Sequence, residues 1–397
     1  MEKPQPVSAS GVYLSEPWST SVATDRRPET RLSRNIRSKR EDKLGISFGS
    51  VRKIKLDTSQ ELSSKQLTMA SDHNSCQMLC IFINVVVVLG TSIVVVCSLA
   101  HQYSFPEPLP GLLRHDLEEM ADRKPSPISP APWLHTGWAV VMAWQLVLAL
   151  HALFSVCRKW TGVPVYTSPV LLSVSLLMSA SLAYGLSAAW FVFYDRGSTT
   201  TSCLVAVLSA LLGWTAFGIS LHTLEENLFR LRKSERYSEI IYHRFIVHNG
   251  LAFYAMWSMF VAAFNVAVAM IHNTKHSVDT DISTVVAMVI MAGFMVGYFL
   301  LDVTCLDKCT RYTGTPYIVS IVVLSACIFR QEDWRSDDVN FIFLAALLTF
   351  AFLSCMAKSA CVLCRVMRPN SHGSMDVTSV SFRRPPPPED EGRYLLK

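Results

Sequence analysis

Six amide, imidazole or charged side chains lie inside otherwise apolar stretches of this 397-residue chain: Asn84, Gln145, His151, Asn265, Asp302 and Lys358. In hydrocarbon such groups are costly, and they face a bundle interior where they pair or line a path. Asp302 and Lys358 carry opposite charge. Counting from the outer ends of their stretches puts them at the same depth to within about one residue's rise. That predicts an ion pair near the cytosolic face, in competition with Lys358 snorkelling to the inner headgroups along its long stem. His151 titrates near neutral pH and could relay a proton or hold a ligand. Gln145, six residues earlier, falls on a different helical face. The plainer expectation for His151 and Asn265 is hydrogen-bonded packing.

The thiols offer a second chemistry. Cys305 and Cys309 are one turn apart, and Cys361 and Cys364 are three apart, each pair at the inner end of an apolar stretch. Four thiolates could meet in a tetrahedral zinc site if those helices touch. Cysteines at such positions are more commonly acylated or simply unmodified, so Cys361 and Cys364 are palmitoylation candidates. No cysteine lies within the outer loops proper, which argues against a secreted disulfide framework. In the last residues, Glu391, Leu395 and Leu396 form an acidic dileucine sorting pattern. No phosphate-cradling glycine loop, nucleophile elbow or paired histidine ligands occur, so no enzyme activity and no cofactor are expected.

The elements that must position these groups are apolar runs. Half of the residues are apolar and 17% are charged, and the mean hydropathy is +0.30, a balance that belongs in lipid. The runs are 78–99, 136–156, 170–194, 203–221, 250–271, 284–302, 316–329 and 341–362, most of them near the ~20 residues that cross a ~30 Å hydrocarbon core. The predicted fold is therefore all-α, a polytopic transmembrane bundle of about eight spans over residues 76–366. The run 316–329 is short and spans only if its helix starts near Tyr312; a re-entrant segment is the alternative. No signal peptide is expected, because the first 75 residues are polar and the first run is long and lacks a small-residue cleavage site.

Lys and Arg are retained on the cytosolic side of inserted helices. With eight crossings and the amino terminus inside, 28 basic residues fall on the cytosolic side and 7 on the outer side, Lys358 lying within a span. Both termini are then cytosolic. Residues 1–75 form a basic tail expected to be disordered, with eleven basic residues against four acids between Asp25 and Lys55. It would be drawn to anionic inner-leaflet lipids rather than to nucleic acid. Residues 367–397 form a second tail containing Arg383-Arg384 and four prolines. The outer loop from His101 to Trp133 carries seven prolines and a short acidic segment, 112–122, with helical potential. The inner loop 223–248 places Leu224, Leu228 and Leu231 at helical spacing beside Arg230, Arg232, Lys233 and Arg236. The fourth helix should therefore extend into the cytosol or bend along the membrane.

Small residues four apart, Ser181/Gly185/Ala189, Ser209/Gly213 and Gly293/Gly297, permit close helix packing within the bundle or between two copies in a homodimer. The run His248-Asn249-Gly250-Leu-Ala-Phe-Tyr-Ala-Met-Trp257, with Asn265 on the same helix, and the run Leu306-Asp307-Lys308-Cys-Thr-Arg311-Tyr312-Thr-Gly-Thr-Pro316-Tyr317 resemble a pattern of uncharacterised invertebrate and fish multi-pass membrane proteins. The resemblance covers about residues 135–366, not the tails. It implies that the bundle is the shared part and carries no activity over to these positions.

Three functional readings follow. A transporter or channel for a small solute or ion, the leading expectation, requires Gln145, His151, Asn265 and Asp302 to converge in twos or more on a polar cavity. A receptor or sensor requires an outer-facing pocket lined by Trp138, Trp144, Trp190 or Trp257. A scaffold or trafficking protein requires a dry, packed interior with its function in the tails. The plasma membrane is the expected location, with endosomal or lysosomal membranes as the alternative. Epitope tags at the two ends test the topology: both should be stained only after cells are permeabilised, and staining of one end in intact cells would mean an odd number of crossings.

Overall fold

The computed structural model describes residues 74–106, 108–109, 111–160, 162–273, 277–330 and 338–367, all within one compact unit, Met69–Lys397. The basic stretch 25–55, the carboxyl tail and its Glu391, Leu395 and Leu396 lie outside the described residues. The elements are α1 (Ser75–Gln102), α2 (Leu117–Arg123), a 3₁₀ turn (Pro132–Thr136), α3 (Gly137–Cys157), a two-stranded antiparallel pair β1 (Lys159–Trp160) and β2 (Val163–Pro164), α4 (Val174–Asp195), α5 (Thr199–Lys233), α6 (Tyr237–Tyr242), a π-helical turn (His243–His248), α7 (Asn249–Ile271), α8 (Thr280–Thr304), α9 (Asp307–Thr310), α10 (Thr315–Arg330) and α11 (Val339–Met367).

Helix starts follow local chemistry. Asn74, Ser173 and Asp279 each accept from a backbone N–H in the first turn of α1, α4 and α8, satisfying donors that a helix start leaves open. Among the described residues, seven helices are long and apolar enough to cross a bilayer. Their outward surface is apolar, with Val86, Phe154, Leu182, Leu204, Leu300 and Leu353 exposed, while Asn84, Gln145, Ser209 and Asp302 are buried. This reverses the arrangement that water imposes. Lipid is the solvent that suits such a surface, and the chain is a multi-pass membrane protein.

The core is built around α7, whose apolar stretch is 78% buried against 22–50% for the other six. Helices α3, α5, α8 and α10 pack directly on it; α1 and α4 close one side and α11 the other. Close approach is set by glycine. A Cβ on Gly213 of α5 would stand 3.0 Å from the Tyr254 ring, and one on Gly250 would stand 2.7 Å from Trp144. Ser181/Gly185 and Ser209/Gly213 thus pack within the bundle, with Ser181 accepting from Asn84 at 2.9 Å and Ser209 bonded to Tyr254 at 2.7 Å. Gly293 and Gly297 instead have nothing within 4 Å of a built Cβ.

Helix α5 continues for 35 residues, about 52 Å at ~1.5 Å per residue. Its extension carries Leu224 and Leu231 into a small second core with Leu171 and Ile240. Helix α10 starts at Thr315 rather than near Tyr312 and has 16 residues, about 24 Å. It still joins the two ends of the bundle: Thr315 donates to the Asn249 carbonyl at 2.9 Å, and Arg330 donates to Asp122 at 2.6 Å and to the Pro130 carbonyl at 3.2 Å. A re-entrant segment would return to the end it left. Below, the end holding the 103–136 loop is called the long-loop end, and the one holding the 158–173 and 234–248 loops the basic end.

Helix α11 is held to the bundle by charge. Lys358 donates to Asp302 at 2.6 Å, with both side chains buried, so the lysine pairs rather than snorkels. Two residues that the depth count did not include complete the site: Thr310 donates to the same carboxylate oxygen, and Tyr317 donates to the other at 2.5 Å. Removing one partner of a buried pair strands a charge and costs roughly 3–5 kcal/mol, whereas replacing both is often nearly neutral. Lys358→Met alone should therefore lower the melting temperature in detergent well below that of the Asp302→Asn, Lys358→Met double variant. Equal melting temperatures would show that the pair is not coupled.

Candidate functional site

The two glycines that start α3 and α7 admit large rings. Gly137 follows the Pro132–Thr136 turn, and a Cβ there would stand 2.1 Å from the Trp257 ring. With that hydrogen-sized gap, Trp257 lies against α3 and meets Trp138 edge-on, with centroids 5.9 Å apart. Trp138 in turn stacks with Trp190 of α4 at 5.8 Å, and Trp190 stacks with Tyr194 at 5.3 Å. Asn265, two turns beyond Trp257 on α7, accepts the Trp190 indole N–H at 3.1 Å and donates to the Val261 carbonyl at 2.8 Å. The asparagine thus fixes the orientation of one wall.

These rings, with Phe260 and Phe264, enclose a cavity of about 70 Å³ at the long-loop end. Its roof is α2 and the segment up to the 3₁₀ turn, which contribute Leu117, Ser126, Pro130 and His135. The roof is tied down at several points. Asp195, at the end of α4, accepts the backbone N–H groups of Arg114 and His115 at 2.9 and 2.8 Å. Lys124 donates to the Gly197 carbonyl, His272 bonds the Pro125 carbonyl at 3.1 Å, and Arg330 holds Asp122 and Pro130. Burial lowers the Lys124 ammonium from its ordinary pKa, as expected for a lysine whose acceptor is a neutral carbonyl.

Three polar atoms in this lining have no hydrogen-bond partner among the described residues: Trp257 Nε1, His135 Nδ1 and Ser126 Oγ. A buried donor left open costs about 1–3 kcal/mol, so three around one cavity mark a place built to receive something polar. The lining contains no carboxylate, lysine or arginine.

Compared with protein-family models, curated proteins and solved structures, the chain matches none. Its chemistry must be read from its own geometry.

The remaining candidate residues are placed apart from one another. Gln145 is fully buried, donating to the Gly250 carbonyl at 2.9 Å and accepting from Tyr184 at 2.7 Å. His151 is half-buried, its ring 6.1 Å from Tyr242. Asp302 is enclosed by Lys358, Thr310 and Tyr317. Only Asn265 of the four borders the aromatic cavity, so the expected convergence of Gln145, His151, Asn265 and Asp302 on one polar cavity is not formed. Each hydrogen-bonding group among them was drawn to a partner on a neighbouring helix, because lipid supplies none. Trp144, the fourth expected pocket tryptophan, faces the basic end instead and donates to the Ile246 carbonyl at 3.1 Å.

Cys361 and Cys364 are exposed near the end of α11, and Cys305 is exposed at the end of α8. No group of three or more metal-ligating side chains is formed among the described residues, so the four-thiolate zinc arrangement is absent there. Cys309 lies instead 3.4 Å from Glu225 of α5. No disulfide is present among the described residues.

Sequence reading missed the histidines of the π-helical turn, a geometry that often marks functional positions. His243 bonds Ser220 Oγ at 3.0 Å, His248 approaches the Ser220 carbonyl at 3.3 Å, and the two rings are 4.9 Å apart. The runs His248–Trp257 and Leu306–Tyr317 touch each other: Asn249 donates to the Tyr312 carbonyl at 2.9 Å and accepts from the Gly314 N–H at 3.2 Å.

The tryptophans of the cavity differ in what their N–H groups do, and stability should reveal it. Trp190→Phe strands the Asn265 oxygen and should destabilise the protein by about 1–3 kcal/mol. Trp257→Phe removes a donor that has no acceptor and should cost clearly less. Thermal unfolding of the two variants in one detergent makes the comparison; an equal loss would mean that the Trp257 N–H is satisfied.

Proposed function

We propose that the protein is a membrane receptor or sensor that binds a small neutral molecule in the aromatic cavity at the long-loop end. The observation that carries the reading is the convergence of three unpartnered polar atoms, Trp257 Nε1, His135 Nδ1 and Ser126 Oγ, on a cavity otherwise walled by rings. Ligand sites have this composition, an apolar lining with a few placed polar groups. An indole N–H only donates, so the ligand must present an acceptor oxygen or nitrogen. A lining without charged side chains other than what His135 can carry favours a neutral molecule. The cavity holds on the order of five water-sized probes, which limits the ligand to a few heavy atoms or a compact ring.

In this reading the chain crosses the membrane eight times with both termini cytosolic, and the cavity faces outward, in the plasma membrane. The distribution of Lys and Arg supports that orientation, and the end-to-end reach of α10 supports the eighth crossing. The roof supplies a way to report occupancy, because α2 and its loop are bonded to the ends of α4, α7 and α10. A transport path through Gln145, His151 and Asp302 is not adopted, since their side chains face separate neighbours.

Benzyl alcohol, cyclohexanone and acetophenone are suitable probes, titrated into the purified chain while tryptophan fluorescence is followed. At least one should give a saturable change. Val261→Trp, which fills the cavity, should abolish it, and Trp257→Phe should weaken it about 5-fold, the equivalent of ~1 kcal/mol. Unsaturable responses, or saturable ones that Val261→Trp leaves intact, would overturn the reading.

A further inference from the structure

Helices α5 and α8 leave a groove of about 580 Å³ on the surface of the bundle, a volume within the ordinary range of small-molecule sites. One stripe of α8 forms its length, from Val289 through Gly293, Phe294, Gly297 and Tyr298 to Leu301, and Trp214 of α5 completes it. The stripe advances about 18 Å at ~1.5 Å per residue. Val289, Gly293, Phe294 and Leu301 are exposed, so the groove opens to hydrocarbon. Its shape comes from what is missing. A Cβ built on Gly293 or Gly297 meets nothing within 4 Å, whereas the space at Gly213 and Gly250 is taken by rings of neighbouring helices. Backbone is therefore bare along the middle of the stripe, and rings stand beside it: Trp214 lies 5.6 Å from Tyr298 and 6.4 Å from Phe294 between centroids. A flat, rigid body fits such a surface.

Polar atoms on the groove-lining residues say more. Tyr298 is only 5% exposed, and its hydroxyl has no hydrogen-bond partner among the described residues; the same holds for the Trp214 indole N–H. Lipid tails offer them no acceptor. Tyr298 lies four residues, about 6 Å, inside the end of its apolar run at Asp302. An occupant must therefore carry an acceptor just within the apolar layer at the basic end and lay an apolar body along Gly297 and Gly293. A phospholipid fits less well, because its acceptors sit beside a headgroup that stays in water and its chains are flexible. A second copy also fits less well: an isologous interface would bring the same groove to this one, and neither copy would supply a ridge to fill it.

We propose that this groove is a lateral binding site for a sterol. The fused rings lie against the bare backbone at Gly293 and Gly297, and the hydroxyl points to the basic end. A hydroxyl oxygen has two acceptor positions, so it accepts from both Trp214 Nε1–H and the Tyr298 hydroxyl. This site is separate from the aromatic cavity at the long-loop end and shares no lining residue with it.

The test is photocrosslinking of the full chain, in phosphatidylcholine liposomes, to a cholesterol that carries a diazirine. Labelling should saturate, should map by mass spectrometry to residues 289–301 or to Trp214, and should be competed by cholesterol about 5-fold better than by its 3α-hydroxyl epimer. Gly293→Leu with Gly297→Leu fills the groove at positions where a Cβ meets nothing, so this pair should keep its melting temperature and lose the labelling. Trp214→Phe with Tyr298→Phe removes donors that have no acceptor in the protein, and should keep the fold while weakening labelling about 5-fold. Val261→Trp, in the aromatic cavity, should leave labelling unchanged. Unsaturable labelling, labelling that survives in the glycine pair, or equal competition by the two epimers would overturn the site. If the sterol does not label and the glycine pair dissociates a dimer of the unaltered chain, the groove belongs to a second copy and the proposal fails.

Discussion

A helix enclosed on every side in a medium without water must find every hydrogen bond within the protein, and α7 is such a helix. Its neighbours are placed by that requirement. Tyr254 at its centre donates to the Ala183 carbonyl at 2.7 Å and shares its hydroxyl with Ser187 and Ser209, joining α4 and α5 to it. Gln145 reaches the Gly250 carbonyl from α3, and Thr315 reaches the Asn249 carbonyl from α10. Apolar contact alone would not select these arrangements, because lipid tails are as apolar as the helix faces. Polar satisfaction and glycine-permitted approach select them instead.

The same requirement shows where the bundle departs from its own rule. Around Asp302 the carboxylate receives three donors, and α11 is anchored. At the long-loop end the balance fails. The aromatic cavity leaves uncharged polar groups open among rings. Polar groups left unsatisfied inside a protein are expensive, so the three that share this one cavity are what connects the structure to binding. In the proposed reading the cavity suits a neutral acceptor-bearing molecule.

These ends are joined mechanically by long rigid elements. Helix α7 borders the cavity through Trp257 and Asn265 and begins at the basic end at Asn249, where α5 ends at Lys233. The π-helical turn carrying His243, Arg244 and His248 is where α7 is least regular, and it packs on Ser220 of α5.

Much of this architecture was legible in the sequence. The apolar runs located the helices to within a few residues, apart from the extension of α5 to Lys233, since the length of a span and the exclusion of charge from lipid are one-dimensional constraints. Counting depth along two runs also placed Asp302 opposite Lys358, because rise per residue is constant. The same count could have grouped Trp138, Trp190 and Asn265 near the long-loop end. It could not supply rotation about the helix axis or the choice of neighbours, which decide whether polar groups meet. For that reason Gln145, His151 and Asp302, similar on paper, were dispersed, while Ser126, His135 and Trp257, from a loop, a turn and a helix far apart in the chain, were brought to one cavity. The sequence by itself determined that this chain is a helical membrane protein and which residues lie in its apolar helices. Only the tertiary structure decided which polar atoms found partners and which were left open, because hydrogen bonding in lipid is settled by three-dimensional proximity and not by order along the chain.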